Sequence, residues 1–101
     1  MKHPLINKID SPHYDSVEEP AIKRFERVYS ITKLMYWAEL SCAKYKDAGR
    51  ANKGQAEADK RKADTYKNYR LFLRNILQDF PELADTPALE VYELLNIKLE
   101  Y

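Results

Sequence analysis

The sequence predicts an all-α fold: a long antiparallel helical hairpin with a short C-terminal helix and an extended N-terminal arm. Three observations carry that prediction. Apolar residues recur at three- and four-residue steps through most of the chain, the period of an amphipathic helix. Only two glycines, Gly49 and Gly54, interrupt a composition rich in Lys, Glu, Ala and Leu, which favours helix over sheet. Trp37, eight tyrosines and three phenylalanines supply enough bulky apolar surface for a packed core. At 101 residues the chain is expected to form one domain, residues 1–101.

Residues 1–15 read as the arm. Pro4 and Pro12 push their predecessors towards extended geometry. Leu5, Ile6 and Ile9 are its expected anchors on the body, and His3 and His13 are expected at its surface. Helix is predicted next over residues 16–48. Ser16-Val17-Glu18-Glu19 has the form of a capping box, and Pro20 falls in the first turn, where proline is tolerated. Ile22, Phe25, Tyr29, Thr32, Tyr36, Leu40 and Ala43 make one stripe along this helix. Val28, Ile31, Met35, Ala38, Cys42 and Tyr45 make a second beside it. An apolar face that wide exceeds what one neighbouring helix covers, so a further helix or a second copy of the chain is expected against it.

Gly49 to Gly54 reads as the hairpin turn, with Gly49 left-handed and Asn52 and Gln55 placed as a second capping box. The second helix is predicted over residues 55–80, with Ala63, Tyr66, Tyr69, Leu73, Ile76, Leu77 and Phe80 on its apolar stripe. Its first two turns are nearly all alanine and charge and are expected in solvent. Pairing the two helices about this turn brings Tyr36 towards Tyr66 and Tyr69, and Glu39 towards Lys67. Thr86-Pro87 predicts the start of a short third helix over residues 86–96, with Thr86 as cap and Pro87 as its first residue. This helix is expected to cover part of the wide face of the first.

Charge is unevenly spread. Residues 21–75 carry fourteen Lys and Arg against six Asp and Glu, whereas residues 76–101 carry one base against six acids. Lys44, Lys46, Arg50, Lys53, Lys60 and Arg61 gather at the hairpin tip, with Lys62 beside them, and form a candidate anion-binding cluster with Tyr45 available for stacking. The opposing expectation is an ordinary solvated face, because Glu57, Asp59 and Asp64 lie at helix-pair spacing from these bases. The whole-chain pI of about 7.8 also lies below that of a typical nucleic-acid module.

Tyr29, Tyr36, Trp37, Tyr66 and Tyr69 form a candidate protein interface, since Tyr and Trp are enriched in binding hot spots. Tyr36 and Trp37 are adjacent and cannot share one face, so one of the two rings must point away from the hairpin seam.

No catalytic, cofactor or metal motif stands out. One cysteine and two histidines fall short of a fixed zinc frame. Cys42 is expected buried and inert, and Glu26 and Glu39 solvated or paired with Arg and Lys. There is no glycine-rich phosphate loop, no signal peptide is expected, and no apolar run approaches the ~20 residues of a membrane span.

These features predict a non-enzymatic helical interaction protein of the cytoplasm or of a host's cytoplasm. It is expected to bind and modulate or block another protein and to self-associate as a homodimer or higher oligomer. Phage and mobile-element accessory factors are comparable in size and class. The rival expectation is a protein that binds nucleic acid or an anionic nucleotide through its basic tip.

Overall fold

A computed structural model describes residues 1–5, 19–51, 54 and 56–100. The fold is all-α. Its helices are α1 (Glu19–Val28), α2 (Ile31–Ala51), α3 (Ala56–Asp79) and α4 (Ala88–Leu94), with a 3-10 turn over Pro81–Leu83. α2 and α3 form the long hairpin, and α1 packs on α4 at the end away from the tip.

The single helix predicted over residues 16–48 is two helices, broken at Tyr29–Ser30. No glycine or proline causes the break. Ser30 instead acts as an N-cap, its Oγ accepting from the Lys33 amide at 3.2 Å. Two more first-turn amides are satisfied from outside α2. Ile31 N–H donates to the Thr86 carbonyl at 3.2 Å, and Thr32 N–H to that of Ala84 at 3.2 Å. In return the Ala88 amide, first in α4, donates to the Tyr29 carbonyl at 3.3 Å. The ends of α1, α2 and α4 thus cap one another. Pro87 is the cap residue of α4 rather than its first helical residue, and no side chain caps it, so Thr86 does not have the capping role expected of it. The predicted start at residues 16–18, and Asn52 and Gln55, lie outside the described residues.

Gly49 does not end a helix in the left-handed region. It lies within α2, and no glycine among the described residues has positive φ. A Cβ there would lie 3.5 Å from that of Asp59 and 3.6 Å from the Ala56 carbonyl oxygen, which is ordinary van der Waals contact, so this site does not require glycine. Asp59 is buried, contrary to the solvated helix start expected from composition.

The left-handed residue is Asn96, at φ 56°. It follows α4 in a Schellman arrangement: Ile97 N–H donates to the Tyr92 carbonyl at 2.8 Å, and Asn96 N–H to that of Glu93 at 3.2 Å. This turns the chain back towards the N-terminus. His3 N–H then donates to the Glu100 carbonyl at 2.9 Å, and Glu100 N–H to that of Met1 at 2.7 Å. Met1 to His3 therefore lie as a short extended strip on the C-terminal tail, and residues 4–5 form a turn.

The core is built from Leu5, Ile22 of α1, Ile31, Leu34 and Ala38 of α2, Tyr69, Leu73 and Ile76 of α3, and Ala88, Val91 and Tyr92 of α4. On α2 the second predicted stripe turns inward: Ile31, Ala38 and Cys42 are buried, with Leu34 added. The first stripe turns outward, because Tyr29, Thr32, Tyr36, Leu40 and Ala43 are all exposed. The short C-terminal helix packs against α1, so it does not close over that outer face.

Candidate functional site

Two clusters stand apart from ordinary packing. The first lies inside. Glu26 sits one turn after Ile22 on the buried side of α1 and is fully enclosed, as is His3. The Tyr69 hydroxyl donates to Glu26 Oε2 at 2.8 Å, and the Tyr92 hydroxyl donates to the same oxygen. His3 Nε2 lies 3.0 Å and 3.1 Å from the two carboxylate oxygens. The Leu5 amide donates to His3 Nδ1 at 3.1 Å. An Nδ1 that accepts is unprotonated, so the network assigns the ring proton to Nε2, and a neutral imidazole donates to the carboxylate.

Glu26 thereby ties the N-terminal strip, α1, α3 and α4 together. Burying a carboxylate is tolerable only with this many donors. Among the described residues no buried side-chain polar atom lacks a partner. The expectation of a surface His3 and of a solvated Glu26 is thus corrected. Two buried tyrosines each needing an acceptor were the sequence signal for it. His13 lies outside the described residues. The enclosed carboxylate has no exposed surface on which a substrate could sit, so its geometry is that of a fastening.

The second cluster lies outside, on α2. Tyr36 is 62% exposed and Leu40 52%. Beside them runs a groove of about 400 Å³ whose lining includes Phe25, Lys33, Leu34 and Trp37. Trp37 is half-buried, with its ring 5.8 Å from Phe25, 5.3 Å from Tyr66 and 6.4 Å from Tyr69. The predicted register across the hairpin thus holds, but Trp37 rather than Tyr36 turns inward to meet Tyr66 and Tyr69. Of the five aromatic residues read as an interface, Tyr29 and Tyr36 are exposed and Trp37 borders the groove. Tyr66 is half-buried, and Tyr69 is fully buried with its hydroxyl on Glu26, which removes it from any interface.

At the tip, Lys44, Lys46, Arg50, Lys60 and Arg61 are exposed, and Lys53 lies outside the described residues. Lys46, Arg50 and Lys60 line one shallow groove of about 240 Å³, together with Asp64. The Tyr45 ring stacks on Tyr66 at 5.7 Å and 9°. Lys44 and Lys62 lie 5.7 Å and 5.2 Å from its centre. The ring expected to receive a base therefore already has a stacking partner and two cations.

Among the described residues no group of three or more His, Cys, Asp or Glu side chains is placed to hold a metal ion, and no helix is long and apolar enough to cross a membrane. No protein-family model, curated protein or solved structure matches this chain.

Proposed function

We propose that this is a non-enzymatic helical interaction protein of the cytoplasm that buries the outer face of α2 against a protein surface, modulating or blocking what it binds. The observation that supports this reading is the exposure of Tyr36 and Leu40, at 62% and 52%, beside a groove bordered by Trp37. Apolar surface of this kind, concentrated on one face and rimmed by charge, marks contact sites on soluble proteins. Tyr and Trp are also the side chains that contribute most when such sites are covered.

A second reading, binding of nucleic acid or an anionic nucleotide at the tip, has one observation in its favour: Lys46, Arg50 and Lys60 share a groove. Asp64 in that groove and the occupied Tyr45 ring weigh against it.

Affinity capture with the tagged full chain, from nuclease-treated and untreated lysate of the organism that makes it, separates the two. The interaction reading expects a retained protein, lost with the Tyr36→Asp/Leu40→Asp variant and indifferent to nuclease. Capture that requires nucleic acid, and that fails with Arg50→Ala/Lys60→Ala/Arg61→Ala, would replace it with the anion reading.

A further inference from the structure

We infer that the occupant of the outer α2 face is a second copy of this chain, packed antiparallel about a two-fold axis at Leu40. This deepens the interaction reading and rests on it.

The argument starts from spacing. Lys33, Tyr36, Leu40, Lys44 and Asp47 all lie within α2 and are all exposed. Relative to Leu40 they stand at −7, −4, 0, +4 and +7, a spacing that reads the same in both directions. At about 100° per residue these offsets keep all five within one side of the helix, opposite Leu34, Ala38 and Cys42. A two-fold axis through Leu40, perpendicular to an antiparallel helix pair, sets position −n of one copy against +n of the other.

The chemistry at mirrored positions is complementary. At seven residues from the axis Lys33 meets the second copy's Asp47, cation to carboxylate. At four residues Tyr36 meets the second copy's Lys44, a ring and an ammonium at cation–π range. On the axis Leu40 meets Leu40. Within one chain the exposed Lys33 and Lys44 ammonium groups lie 5.6 Å and 5.7 Å from the Tyr29 and Tyr45 ring centres, surface contacts that are weak enough to exchange. Asp47 pairs with Arg50 at 3.9 Å, with both side chains about four-fifths exposed, at 79% and 82%.

The distribution of charge along the molecule selects the same orientation. The tip carries Lys44, Lys46 and Arg50 at the C-terminal end of α2. Asp85 sits between Ala84 and Thr86, whose carbonyls cap the N-terminal end of α2, and Glu82 precedes it on the 3-10 turn. Antiparallel packing keeps the two basic tips apart, whereas parallel packing would set them side by side. The net charge of +1 leaves little overall repulsion between copies.

Sedimentation equilibrium of the full chain across the micromolar range tests this. The wild type is expected to form a reversible dimer. Lys33→Glu alone sets a second carboxylate against Asp47, and Asp47→Lys alone sets a second ammonium against Lys33; each is expected to weaken self-association at least ~10-fold. Mixed in equal amounts, the two single variants are expected to form a heterodimer, and the double variant to regain the homodimer. Recovery on mixing also proves that both variants fold. A wild type that stays monomeric, a dimer indifferent to both reversals, or variants that do not recover on mixing would overturn the inference. A monomer that still captures a different protein through Tyr36 and Leu40 would remove the second copy and leave the interaction reading standing.

Discussion

Glu26 and Leu40 exchange the places their chemistry would assign them. The carboxylate is fully buried, and the leucine is 52% exposed. Each exception has its own physical condition. Glu26 is tolerated inside because His3, Tyr69 and Tyr92 all donate to it. Leu40 has no comparable compensation within the described chain, since α3 packs on the other side of α2. A polar group placed inside with its partners supplied by the same molecule reads as architecture. An apolar group left outside reads as a request for a partner that the molecule does not supply. Mutation should therefore split the two regions: changes at Glu26 act on folding, and changes at Leu40 act on association.

The largest effect is expected from Glu26→Ala. It removes the acceptor that His3, Tyr69 and Tyr92 share, and each buried hydrogen bond left unmade costs about 1–3 kcal/mol. For a domain whose whole stability is on the order of 5–10 kcal/mol, this brings it close to unfolding. Chemical denaturation followed by circular dichroism measures the loss. Tyr92→Phe, which removes one donor and leaves the carboxylate its bonds from His3 and Tyr69, should cost less, about 1–3 kcal/mol. Equal costs for the two variants would mean that the carboxylate is not the centre of the network.

A smaller effect is expected at the turn that returns the tail to the N-terminal strip. Asn96 holds φ at 56°, a region that glycine and asparagine tolerate and β-branched residues do not. Asn96→Val should destabilise by about 1–2 kcal/mol, whereas Asn96→Gly should be close to neutral. The same denaturation measurement orders the two. If valine is tolerated as well as glycine, the 97–100 tail contributes nothing to holding His3 under Tyr69.

Much of the fold was legible from the periodicity of its apolar residues. On α3, Ala63, Tyr69, Leu73 and Ile76 are buried where the spacing places them, whereas Tyr66 is half-buried and Phe80, just past the end of the helix, is exposed; the hairpin closes near the predicted turn. The break at Ser30 was hidden because serine is also tolerated inside helices; what decides it is the pair of carbonyls at Ala84 and Thr86 and the Ala88 amide that donates to the Tyr29 carbonyl, brought close only by tertiary packing. Periodicity found two apolar stripes on α2 but not which one faces α3, since the alternatives differ only by rotation about the helix axis. The buried carboxylate was missed for a related reason. A glutamate at helical spacing reads as solvated until Tyr69, Tyr92 and the distant His3 converge on it. Of the candidate interface, Tyr29 and Tyr36 were visible as rings that could not all be inside, but the exclusion of Tyr69 depends on the position of Glu26.

The smallest effect on folding is expected on the outer face, and that smallness is what sharpens the comparison. Leu40→Asp places a charge where the side chain is already half in water, so the stability of the monomer should change by no more than about 0.5 kcal/mol. Association is a separate matter. A chain that pairs only when folded gains stability with concentration, so its unfolding midpoint rises as the protein is concentrated. The wild type should show that rise, and Leu40→Asp should unfold at one midpoint at every concentration. At high dilution, where the pair has dissociated, the two curves should converge. A persistent gap at high dilution would mean that Leu40 contributes to the monomer core after all, and the division between a sealed interior and an open face would fail at the residue on which it most depends.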